Sequence, residues 1–179
     1  MEHLSELVYG GMDGIISTFS IVAGAAGGDL SRYVITILGI SNVISDGFSM
    51  AVARYASAKT EIAQGLLINK DAFRSAVATF IFFVLIGILP IIPFLILPKY
   101  GTAKRVSLTL AAIIFFVIGY VGKPILPPPA SSTQPKISKE EQRKNGKLAN
   151  GFQTLALGLA AASLAYGIGH ILRKFVAKG

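Results

Sequence analysis

The chain has 179 residues, is 53% hydrophobic with a mean hydropathy of +0.63, and carries only 15% charged residues, where a soluble domain carries about a quarter. Long unbroken apolar runs indicate helices rather than the short alternating segments of a barrel, so the expected class is an all-α membrane protein of one domain. The formal charge of +8 comes from Lys and Arg between or beside the apolar runs, a pattern of loop charge at anionic lipid rather than of nucleic-acid binding. There is no cysteine, which excludes disulfides, thiolate metal sites and Cys-ligated clusters.

Five membrane spans are expected, over residues 4–28, 33–54, 73–97, 106–122 and 148–172. The start, MEHLSELVYGG, has no basic n-region and no small-residue cleavage site, so the first span is expected to stay in the protein. Asp13 lies within it. An N-cap role for Asp13 would leave residues 14–28 only about 22 Å long, against a hydrocarbon core of about 30 Å. Starting near Leu4 supplies the missing length. Gly27, Gly28 and Asp29 then break the helix before a tight turn.

The second span continues as helical composition through Arg54, Lys59 and Glu61, and a polar link, Asn69-Lys70-Asp71, precedes the third. Pro90 and Pro93 in the third span remove backbone bonds and crowd the preceding turn, predicting a kink or break near its far end. They are candidate hinges as well as candidate structural kinks. Residues 123–147 form a loop, proline- and serine-rich at first and then charged, with a short surface helix or an irregular segment as the expectation for its second part. The last span carries Gly151, Gly158, Ala162, Ala165 and Gly169 near one stripe, which permits close helix approach in lipid. Lys and Arg divide ten to seven between the two sides, placing the amino terminus and the 123–147 loop in the cytoplasm.

The chemistry concentrates in residues 39–61, GISNVISDGFSMAVARYASAKTE. Asn42, Asp46 and Met50 are spaced by four and stack on one helix face, about 6 Å apart along the axis. An acid facing lipid costs about 2.5–3.5 kcal/mol on insertion scales, so Asp46 is expected to face protein or water. Counting at about 1.5 Å per residue puts Asp13 about 13 Å, and Asp46 about 12 Å, from the cytoplasmic face on antiparallel helices. Two carboxylates at one depth repel unless a cation or proton compensates, as proton-coupled exchange requires. Oxygen ligands alone suit Mg²⁺ or Ca²⁺, whereas the Met50 thioether favours a softer transition metal.

Each residue has a plainer alternative. Met50 as a gap-filling core side chain, Asn42 as a helix–helix hydrogen bond, and Ser17 and Ser49 bonded back to their own helices all fit. Met12 points about 100° away from Asp13 and reads as packing, and His3 and His170 sit at helix ends. Glu61 is either a cation-attracting entrance or a solvated helix charge. The phospho-alcohol transferase pattern Asp-Gly-x-x-Ala-Arg fails, because Asp46-Gly47 and Ala53-Arg54 are too far apart and no later aspartate cluster follows. No Ser-His-Asp set, phosphate loop or HExxH occurs, and no enzyme activity is expected. Asp13-Gly-x-x-Ser17 and Asp46-Gly-x-Ser49 look alike but are too short to count as a repeat.

The segments MDGIISTFSIVAGAAG, GISNVISDGFSMAVARYASAKTE, GILPIIPFLIL and LGLAAASLAYGIGHIL resemble, in order, the membrane segments of the vacuolar iron transporter family. The resemblance implies a five-helix homodimer that exports divalent iron or manganese from the cytosol in exchange for protons. It also implies a pathway at the dimer interface using Asp13 and Met50. Some members have glutamate where this chain has Asn42, which lowers the charge of the site. Better-known members continue after the position of Glu61 into a glutamate-rich cytosolic domain; here the third span follows within about a dozen residues, as in the shorter nodulin-like branch.

The expectation is thus a dimeric Fe²⁺ or Mn²⁺ transporter with Asp13, Asn42, Asp46 and Met50 at the metal site. Fe²⁺ or Mn²⁺ is its substrate rather than a permanently bound cofactor, and metal ions, protons, lipid and a second copy are its partners. The membrane is the cell membrane of a prokaryote or the vacuolar membrane of a eukaryote. A non-transporting membrane subunit and a passive cation channel are the alternatives.

Overall fold

The computed structural model describes residues 4–65, 71–122 and 139–176. His3, the 66–70 part of the second loop and the proline-rich stretch 123–138 lie outside the described residues. Among the described residues six helices follow one another: α1 (Leu4–Gly27), α2 (Arg32–Ala63), α3 (Ala72–Gly87), α4 (Ile92–Ile96), α5 (Tyr100–Val121) and α6 (Lys139–Val176). Among the described residues there is no strand. By length and composition, α2, α5 and residues 146–176 of α6 can cross a membrane.

Helix α1 is central, packing against α2, α3, α5 and α6. One buried cluster joins α1 to α5 and α6 through Ile15, Phe19, Ala111, Phe115, Ile118 and Ala162, with Met12 packed at its edge as expected. Phe19 and Phe115 meet edge to face at 6.0 Å. A second cluster, Val22, Ala25, Ile35, Phe94 and Ala103, ties α1 to α2, α4 and α5. The small residues of α6 divide their work. Gly151 and Gly158 close onto the Phe116 and Phe115 rings, and Ala165 and Gly169 close onto Gly24 of α1.

Helix α1 ends as the sequence indicates, but the residue that takes the left-handed conformation is Asp29 (φ 58°), not a glycine. Leu30 N–H reaches the Ala25 carbonyl at 2.9 Å and Asp29 N–H that of Ala26 at 3.2 Å, the paired bonds of a Schellman cap. Short polar Asp tolerates the αL region better than most side chains. Ser31 caps the start of α2, and Asp71 caps α3 by accepting from the Phe73 and Arg74 N–H groups.

The third span breaks near its far end, as its two prolines predict: turns over 88–91 separate α3 from the short α4. The backbone bonds that Pro90 and Pro93 cannot donate are the cause. Helix α5 starts at Tyr100 rather than near 106, and α6 is continuous from Lys139, so the charged segment before the last span is the first part of the same helix rather than a separate surface helix or an irregular segment.

The break itself is well secured. Pro90 and Pro93 are both buried, and the Ser107 hydroxyl of α5 donates to the Pro90 carbonyl at 2.7 Å. Arg32 donates to the Phe94 carbonyl through Nε and to that of Leu95 at 2.9 Å, satisfying carbonyls that the end of α4 leaves open. Such packing fits a fixed kink.

Candidate functional site

Glycine is what brings α1 and α2 to the same neighbour. A methyl group on Gly14 would lie 2.6 Å from the Phe83 carbonyl oxygen, and one on Gly47 would lie 3.2 Å from the Phe83 ring. Phe83 itself is fully buried in α3. The absence of a side chain on either helix therefore lets both settle on one residue of a third. In each helix the preceding residue is an aspartate, Asp13 in α1 and Asp46 in α2. Asp13 and Asp46 thus each precede a glycine that packs on Phe83. The likeness between the two Asp-Gly segments is thus one of packing, and no repeat is needed to account for it.

The two acids have different surroundings. Asp46 is half-buried and accepts a 2.6 Å hydrogen bond from the Asn42 side-chain amide one turn earlier in α2. Asn42 therefore steadies a carboxylate within its own helix, in place of the helix–helix bond considered from sequence. Asp13 is exposed on the surface of a single copy, as is Tyr9 one turn before it. Ser17, one turn after, turns its hydroxyl back to the Gly14 carbonyl at 3.3 Å, as one of its sequence readings had it. The buried stripe of α2 is Ile35, Gly39, Val43 and Gly47. Asn42, Asp46 and Met50 are half-buried beside it, and Ser41, Ser45 and Ser49 are exposed beyond.

Among the described residues no group of three or more His, Asp or Glu side chains comes together in one chain. One copy thus offers two carboxylates, an amide and a thioether. That donor set is oxygen-rich with one soft ligand, and it is short of the six or so positions a hard divalent ion fills. Glu61 is not a plain solvated charge: it is half-buried, 3.5 Å from the Arg54 guanidinium, and accepts from the Ser57 hydroxyl at 3.1 Å. In the sequence Arg54 marks the membrane edge of α2 and ends the rejected Asp-Gly…Ala-Arg pattern. Its bond to Ser75 in α3 spans 21 positions and had no local signal.

A family model described as the VIT family matches residues 4–64 and 62–170. The chain belongs to the VIT family. Three curated proteins named vacuolar iron transporter are similar to it. One from Toxoplasma gondii (strain ATCC 50861 / VEG) is 40% identical over 60 residues, covering 34% of this chain and 20% of that protein. Those from Plasmodium berghei (strain Anka) and Plasmodium falciparum (isolate 3D7) are 33% and 32% identical over 61 and 60 residues, each covering 34% of this chain and 22% of the relative. The matched part thus spans about a fifth of the length of these relatives. Family membership and its long apolar helices make this VIT-family chain an integral membrane protein.

Proposed function

We propose that this chain carries divalent iron or manganese out of the cytosol in exchange for protons, as a homodimer of five-span subunits. Helices α1, α2, α5 and α6 would each cross the membrane, with α3 and α4 together forming one broken span and the amino terminus in the cytoplasm. The whole chain is then a single transmembrane domain, in the cell membrane of a prokaryote or the vacuolar membrane of a eukaryote. The observation that carries this is the pair Asp13 and Asp46, seated through neighbouring glycines on Phe83 with one side of the pair open.

An exposed aspartate in a bilayer costs about 2.5–3.5 kcal/mol on insertion scales, so the open side calls for a cover that water or a second copy supplies. A two-fold partner doubles Asp13, Asn42, Asp46 and Met50 and completes the donor count. Two neighbouring carboxylates cannot both stay charged cheaply in a low dielectric; a divalent cation or protons relieve the repulsion, and each displaces the other. Loading metal thus releases protons, and protonation releases metal. Asn42 holds Asp46 in place, and Met50 favours Fe²⁺ or Mn²⁺ over Ca²⁺.

The test is transport by purified protein in vesicles under an imposed pH gradient, with Fe²⁺, Mn²⁺, Co²⁺, Zn²⁺ and Ca²⁺ compared. Exchange predicts Fe²⁺ or Mn²⁺ flux that moves protons the opposite way and fails in Asp13→Ala and Met50→Ala. Flux indifferent to the gradient would mean a passive channel, and no flux a non-transporting subunit.

A further inference from the structure

Arg54 stands one turn beyond Met50 on the stripe that carries Asn42 and Asp46, about 6 Å further along α2. It is the cation nearest Met50 along that helix. A metal ion travelling along the stripe between the α2 carboxyl end and Met50 must pass a guanidinium that stays charged at any working pH. The structure draws that group aside. Its Nε donates to the Ser75 hydroxyl of α3 at 2.9 Å, and one terminal nitrogen lies 3.5 Å from Glu61. Ser75 is 1% exposed, and its backbone N–H bonds the carbonyl of the α3 cap residue Asp71 at 3.0 Å. The Arg54 and Glu61 side chains are 24% and 33% exposed, partly shielded from bulk water.

We propose that Arg54 is a positive gate at the cytosolic mouth of the metal path, held open by Ser75 and Glu61. Tethered, the guanidinium points along α2 away from Met50 and has its charge offset by Glu61. Released, it turns back toward Met50, one turn away, and its positive charge repels the incoming cation. Ser75 and Glu61 are positioning residues that act through Arg54. This rests on the transport function proposed above, and it differs from Glu61 attracting metal directly, because it makes the effect of Glu61 depend on Arg54.

The experiment measures KM and kcat for Mn²⁺ uptake into vesicles by the full chain and by Glu61→Gln, Ser75→Ala, Ser75→Thr, Arg54→Gln and the doubles Arg54→Gln/Glu61→Gln and Arg54→Gln/Ser75→Ala. Glu61→Gln and Ser75→Ala should each raise KM several-fold with kcat retained, and Ser75→Thr, which keeps the hydroxyl, should restore the wild-type KM. In the Arg54→Gln background both effects should vanish, a non-additivity that only coupled residues show. An unchanged KM in Glu61→Gln and Ser75→Ala, or equal increases with and without Arg54, overturns the gate alone. Absence of Mn²⁺ flux in the wild type overturns the transport function and the gate with it.

Discussion

Helix α1 meets two neighbours through glycine, with different results. Toward α3, Gly10 and Gly14 close onto the Thr79 and Phe83 backbone, and Asp13 stands beside them on an open face. Toward α6, Gly24 and Gly27 close onto Ala165, Tyr166 and Gly169, where the apolar lining extends to Ile21, Ile168 and Leu172. The device is the same in both places, a missing side chain that lets backbones approach as small residues do in lipid. Only the first contact also fixes the height of an acid, and the matching glycine in α2 fixes a second acid at that height. Close packing holds the bundle at one end and builds a site at the other.

Six substitutions at five positions separate these roles. Asp13→Asn should abolish metal-driven proton movement without loss of folded protein, checked by vesicle flux alongside size-exclusion profiles. Gly14→Ala and Gly27→Ala should each lower stability by about 1–3 kcal/mol, because both force a methyl group onto a backbone carbonyl. Thermal melts would register both, yet only Gly14→Ala should also depress flux per folded molecule; equal transport losses would erase the distinction between the two contacts. Met50→Leu conserves volume at a cost below about 1.5 kcal/mol, and its expected effect is a several-fold loss of Mn²⁺ preference over Ca²⁺ in competition uptake. At the Schellman cap, Asp29→Val should cost about 1–2 kcal/mol for a branched residue at positive φ. Asp29→Gly should leave the melting temperature unchanged or higher, since its ion pair with Arg173 is largely exposed and worth little.

Much of the fold was legible because it is local. Apolar length fixed the start of the first helix near Leu4, and the two prolines located the break between α3 and α4. Counting residues from the helix ends puts Asp13 and Asp46 at one level, and the glycine after each packs on Phe83. What was not legible depends on tertiary contact. Nothing around Phe83 marks it as the seat of two helices, and the Arg54–Ser75 bond joins elements with no common pattern. The continuity of α6 is hidden in the sequence because its charged beginning lies next to prolines, although Lys, Glu, Gln and Arg are good helix formers. Asp29, beside two glycines, is the residue with positive φ, and no local pattern singles it out.

Asp13 and Asp46 are proposed to act as one site, and a cycle of Asp13→Asn, Asp46→Asn and the double variant tests that most directly. Mn²⁺ uptake and lumenal pH would be followed together in vesicles of equal protein content. Each single variant should lose both metal uptake and proton movement, and the double should be no worse than either, as for residues that work as a unit. Asp46→Asn with wild-type coupled transport, or losses that multiply in the double, would contradict it.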